Sequence, residues 1–217
     1  MAGVDGVRDR WLVAVLDRGG QVSWSVQRDA AAVLAVAARC AAIGVDVPIG
    51  LPERGYRACD VAARQRLGSA RSSVFHAPIR AALSAADHRG ASDAAFTAHG
   101  KRISVQTWGL VPKIAQWDHE LGPGDRVVEV HPEVSFRAMA PRVDFAGKKT
   151  ARGAVQRMAA LSAWRRGVLD GLPGDAPLDD ALDALACAWS AARWVRGRAE
   201  VLGGEPDRTG RAMRIVV

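Results

Sequence analysis

Three aspartates stand where aspartate is poorly tolerated. Asp5 lies in AGVDGV, Asp46 in IGVDVP and Asp183 in LDDALDALACAW. Strand interiors disfavour aspartate, and a helix apolar on most sides offers its carboxylate no water. Two carboxylates about 4 Å apart repel by ~4 kcal/mol at an effective dielectric of 20. A divalent cation neutralises such a pair, and hard ions such as Mg²⁺ or Mn²⁺ take carboxylate and water oxygens. Each acid also has a plainer explanation. Gly6 and Pro48 let Asp5 and Asp46 mark strand ends. Asp179 or Asp180 can cap the helix, with Asp183 completing a capping box. Glu129 and Glu133, in EVHPEV, are candidates for a further carboxylate or plain solvent-facing side chains.

The elements that must position these acids follow from the hydrophobic pattern. AGVDGV at 2–7, RWLVAVLD at 10–17 and QVSWSVQ at 21–27 alternate as strands, with Gly19-Gly20 as a turn, and predict an antiparallel meander. An alanine-rich helix at 29–42, capped by Asp29, leads into a short buried strand at 43–48. Residues 49–124 read as a mainly helical, arginine-rich insertion, with a helix at 108–121 and an end at GPGD, 122–125. RVVEV then makes a strand running into His131-Pro132-Glu133, where alternation puts Glu129 and His131 on one face. Lys148-Lys149-Thr150 opens a helix. The acidic helix covers 178–197, and the tail ends in a short strand. The expected whole is a single α/β domain over 1–217 with a mixed five-stranded sheet, a meander plus parallel strands, flanked by helices.

Composition narrows the function. The chain has 217 residues, 49% hydrophobic and 24% charged, which suits a folded globular core. Its longest apolar runs are too short to span a bilayer, and the N-terminus has no basic-then-apolar leader pattern. The expectation is a cytoplasmic protein with no membrane association. The net charge is +7, and only four of thirty basic residues are lysines. Arginine forks suit phosphate oxygens, so nucleic acid is a fitting partner, although a codon bias toward arginine explains the same numbers. Cys40, Cys59 and Cys187 form no CxxC pair, and the five histidines lack the i, i+4 spacing of zinc enzymes. There is no GxxxxGK[ST] phosphate loop, which counts against a nucleotide-dependent phosphotransferase.

The acid pattern resembles that of the RNase H-like superfamily, and DALDALACA resembles the acidic closing helix of its Holliday-junction resolvase branch. More closely, the chain is similar to the domain of unknown function 429 (DUF429) family, a family of predicted nucleases. The similarity lies in GVDG with Trp11, DVPIGLP at 46–52, RACDVAAR at 57–64, SSVF at 72–75, PKI at 112–114, EVHPEVSF at 129–136, KKTARG at 148–153 and DDALDA at 179–184. The resemblance implies a nuclease or phosphodiester hydrolase dependent on Mg²⁺ or Mn²⁺ and acting on nucleic acid. It implies that Asp5 bridges two ions, that Asp46 and Asp183 bind one each, with Asp180 as an alternative ligand, and that Glu133 or Glu129 supports an ion or its water. His131 is then a candidate proton shuttle. Arg57, Arg64, Lys113, Lys148 and Lys149 are candidate phosphate contacts. A non-catalytic nucleic-acid binder or scaffold that keeps only the fold is the alternative.

Overall fold

Alternating apolar residues make the first 27 residues a meander: β1 (Ala2–Val7), β2 (Arg10–Leu16) and β3 (Val22–Gln27), each antiparallel to the next. The structure is a computed structural model describing residues 1–122, 124 and 126–217. Asp29 accepts the Ala32 N–H and so starts α1 (Ala30–Val36), which ends six residues before its expected limit. β4 (Ile43–Val45) then pairs parallel to β1, and β5 (Val127–Glu129) parallel to β4. The sheet order is β3-β2-β1-β4-β5, the mixed five-stranded α/β sheet expected from sequence.

The chain divides into two compact units. One comprises Met1–Asp46, Arg126–Glu200 and Val216–Val217 and contains this sheet. It also holds α5 (Pro132–Met139), α6 (Ala151–Trp164) and α7 (Leu178–Val195). The other comprises Val47–Asp125 and Val201–Ile215. It includes α2 (Ala58–Leu67), α3 (His88–His99) and α4 (Val105–Glu120), together with the hairpin of β6 (Val201–Pro206) and, up to Ile215, β7 (Ala212–Val216). The expected helical insertion is therefore completed by a C-terminal hairpin, where the sequence reading placed a single short strand. Part of its expected end at GPGD lies outside the described residues. Asp207 holds this second unit together: it accepts the N–H groups of Leu51, Thr209 and Arg211 and pairs with Arg80.

In the first unit α7 lies on the sheet and packs against β1, β2 and β4, while α5 and α6 pack on α7. All twelve residues from Ala181 to Ala192 are buried. Phe136, Phe145, Leu161, Leu182 and Leu185 fill the core around it. The helix comes unusually close to the strands. A Cβ on Gly3 would lie 1.9 Å from the Ala184 carbonyl oxygen, and one on Gly44 would lie 2.3 Å from that of Cys187. No side chain fits either place, because both obstacles are backbone of a buried helix.

Gly3→Ala is therefore expected to cost about 3 kcal/mol or more, read by chemical denaturation. Gly109→Ala, at an exposed position of α4 with open space around it, is expected to stabilise by about 0.5–1 kcal/mol. Equal effects of the two substitutions would show that the close approach is not a constraint.

Candidate active site

Register decides which acids meet. Val4 is aligned with Val45 across β1 and β4, and the Asp46 N–H continues the ladder to the Val4 carbonyl at 3.0 Å. Asp5 and Asp46 are thus side by side at the C-terminal ends of neighbouring parallel strands. Alternation puts Gly3, Gly44, Asp5 and Asp46 on one face. The same glycines receive α7, so both aspartates face the helix that carries Asp183.

The capping explanation of that helix does not hold. Its N-cap is Pro177, with no side-chain cap bond. Asp179 and Asp180 occupy the first turn, where the helix dipole favours them. Asp183 lies deeper and is 2% exposed. One of its oxygens, Oδ2, accepts from Lys148 Nζ at 2.7 Å, while Oδ1 is buried with no hydrogen-bond partner.

The acids sense one another. Burial pushes the Asp5 carboxyl well above the usual carboxylate range; Asp46, Asp183 and Asp180 push it further, against one hydrogen bond from the Gly6 N–H at 2.8 Å. Asp183 is pushed up to about 7, by burial first and then by Asp46 and Glu133, with Lys148 acting in the opposite sense. Burial would lower the Lys148 ammonium, but Asp183, Asp5 and Asp46 raise it, so Lys148 stays charged. Cys187, one turn beyond Asp183, has its thiol pushed up by complete burial and by the same three aspartates. Asp5, Asp46, Asp180 and Asp183 therefore form one electrostatic cluster, which Glu133 borders. Among the described residues, no three His, Cys, Asp or Glu side chains stand in an arrangement that holds a metal ion.

The loop before α6 delivers Lys148. Thr150 caps α6 by accepting the Gly153 N–H at 3.0 Å, and its hydroxyl donates to the Gly147 carbonyl at 2.8 Å. Gln156 ties the same loop through the Ala146 N–H and the Asp144 carbonyl. The KKTARG motif is thus a helix start that fixes the backbone on both sides of the lysines. Lys148, Lys149, Thr150, Ala151, Ala154, Leu178 and Asp179 line a cavity of about 470 Å³. Lys149 is exposed there.

The other predicted residues fall into different places. Glu129 is aligned with Val45, so strand alternation puts it on the face opposite Asp5 and Asp46. β5 ends at Glu129, and His131 is the N-cap residue of α5, so the strand alternation linking the two stops short. Its carbonyl accepts the Val134 and Ser135 N–H groups. Glu133 sits in the first turn of α5, and both its oxygens hold Arg157 of α6, at 2.6 and 2.7 Å. Arg157 is buried over Phe136 and Phe145 and also donates to the Ala146 and Gly153 carbonyls. The sequence reading did not single it out. A lone arginine among the apolar positions of α6 was the available signal.

Arg57, Arg64 and Lys113 belong to the second unit. Arg57 is a correction: it is 2% exposed, and its guanidinium is bound to Asp60 and to the Ile49 and Gly50 carbonyls. A buried, paired guanidinium braces the start of α2 and offers no fork to phosphate. Arg64 donates to the Val74 carbonyl from a half-buried position. Lys113 follows Pro112 inside α4 and is also half-buried.

The Asp183 shift predicts a pH dependence. Its carboxyl ionises near 7 in the folded chain but near 4 when unfolded, so the native state binds more protons across that window. Its contribution to stability falls as pH rises from about 4 to about 7 and is level beyond. The melting temperature of Asp183→Asn relative to the parent chain is expected to climb over that window, on top of any constant offset. A difference that does not change with pH would contradict the burial argument.

No curated protein and no solved structure matches the chain significantly. No helix among the described residues is long and apolar enough to cross a membrane. The family described as "Protein of unknown function (DUF429)" matches residues 3–208, nearly the whole length, and the chain belongs to that family.

Proposed function

We propose that this protein is a divalent-metal-dependent phosphodiester hydrolase of RNase H-like type, acting on a nucleic acid. One observation carries this reading: Asp5, Asp46, Asp180 and Asp183, from three separate stretches of chain, act on one another as a single cluster of acids in which Asp5 and Asp183 are buried. Stability alone does not favour such crowding, since each carboxylate raises the cost of ionising the next. The donor set is all hard oxygen, and the bare Oδ1 of Asp183 is a buried acceptor that lacks a donor, so the chemistry suits Mg²⁺ or Mn²⁺, and the acids would have to close on the ion to hold it.

Asp5, Asp46 and Asp183 would hold the ion, with Asp180 beside them. Bound there, it would supply Lewis acidity toward a phosphoryl oxygen and lower the pKa of a water. The chain's own contributions are positional. The Gly6 N–H fixes Oδ1 of Asp5. Arg157 fixes Glu133 at the border of the cluster, next to Asp183, and Lys149 presents a cation at the neighbouring cavity for a phosphate. His131 remains the candidate proton shuttle. The high arginine content suits a polyanionic substrate.

A second reading has its own support. Lys148 already neutralises part of the cluster, so a chain that never loads metal could keep the acids as structure and bind nucleic acid without turnover. The two readings separate on Asp5→Asn and Asp46→Asn, assayed with Mn²⁺ on labelled single-stranded DNA, duplex DNA and RNA. Hydrolysis predicts a fall in cleavage on the order of 100-fold or more, with metal-free melting temperatures unchanged or raised. Metal-independent, salt-sensitive binding to every polymer with no cleavage by the parent chain would favour the scaffold.

A further inference from the structure

The geometry points to Lys148 as an internal cation that occupies Asp183 until a divalent ion displaces it, after which its ammonium turns to the neighbouring cavity to grip phosphate. This deepens the hydrolase reading and rests on it.

The pair is lopsided. The Asp183 side chain is 3% exposed and fixed in a helix buried over twelve residues. The Lys148 side chain is 39% exposed and stands on a loop. Of the two partners only the lysine can leave, and a four-carbon stem swings without moving the backbone. The backbone itself is held, by the Thr150 cap on one side and by Gln156 on the other. Exchange is thus a side-chain event.

The charges around the ammonium set what can replace it. Asp183 acts on Lys148 most strongly, and Asp5 and Asp46 add to it more weakly. Glu133 is already satisfied by Arg157 and needs no second cation. A single positive charge therefore faces several carboxylates, and an ion of twice the charge is the better counter-ion for them. A dication taken up at the bare Oδ1 of Asp183 would stand within a few ångströms of the ammonium on Oδ2, and their mutual repulsion favours the lysine's departure.

A destination for the released group is next door. Lys148 lines the cavity that it shares with Lys149, the start of α6 and Asp179 of α7. A phosphodiester there would meet two ammonium groups in place of one. Ion loading and phosphate binding then favour each other, and linkage makes the coupling reciprocal.

The test measures binding, not turnover. Mn²⁺ affinity of the full chain is read by titration calorimetry for the parent, Lys148→Met and Lys149→Met. Lys148→Met is expected to tighten Mn²⁺ by about tenfold or more and Lys149→Met to leave it unchanged. Without metal, Lys148→Met is expected to melt lower than the parent, and saturating Mn²⁺ to close that gap. Should that variant fail to fold, Lys148→Arg serves. It keeps the charge in a planar fork that pairs with a carboxylate through two bonds, and it is expected to weaken Mn²⁺. Equal, measurable Mn²⁺ affinity in the parent and in the Lys148 variants overturns the exchange and leaves the hydrolase reading standing. No Mn²⁺ bound by the parent or by any variant removes both.

Discussion

Everything in the acidic cluster depends on how near α7 comes to β1 and β4. Gly3 and Gly44 have no Cβ, and the helix lies where those atoms would be. Ala184 and Ala188 present equally small surfaces from the other side. Small residues on both partners bring helix backbone against strand backbone, and the acids one step further along each element are carried together. Asp5 is two residues beyond Gly3, Asp46 two beyond Gly44, and Asp183 precedes Ala184. The two strand acids keep the parity of the glycines that make the close contact, and Asp183 is adjacent to Ala184 in the helix. The positioning of the charges is thus a by-product of apolar packing, which supplies the stability that the charges themselves take away.

Two basic residues from sequence-distant segments limit that cost. Lys148 answers Asp183 and Arg157 answers Glu133, across 35 and 24 residues of chain respectively. They differ in kind. Arg157 is a planar fork, buried, lying against two adjacent phenyl rings and bonded to two carbonyls as well as its acid. It is a permanent brace. Lys148 makes one bond from a half-open position. One site therefore contains a fixed counter-charge and a movable one, and the distinction follows from side-chain chemistry.

Much of this was legible from local pattern. Strand alternation and the Gly19-Gly20 turn announce the meander. Asp5, Asp46 and Asp183 stand out because their neighbours are so apolar. Other features depend on register, which no local window contains. Glu129 looks as good an acid as Asp46 until the pairing of Val45 with Glu129 puts it on the other face. Arg57 and Lys148 both read as surface cations near phosphate, and both find carboxylates that only the folded chain supplies. One feature was readable and was missed. A proline after a strand is a good first residue for a helix, and Pro132 starts α5 in this way instead of prolonging β5. The C-terminal hairpin was under-read in the same manner, since PDRTG supplies the turn residues that separate its strands.

The interleaving of the two units has a kinetic meaning. β4 and β5 are adjacent in the sheet but bracket residues 47–125, so pairing them closes a loop whose entropy, if unstructured, amounts to about 4 kcal/mol plus a constant. Collapse of that segment into helices beforehand shortens the effective loop and makes the parallel pairing accessible. Yet the segment also needs 201–215, which leave the ribosome after α7. Neither unit has all its parts until residues 201–217 have emerged, so the ordering of the nascent chain waits on the segment that follows α7.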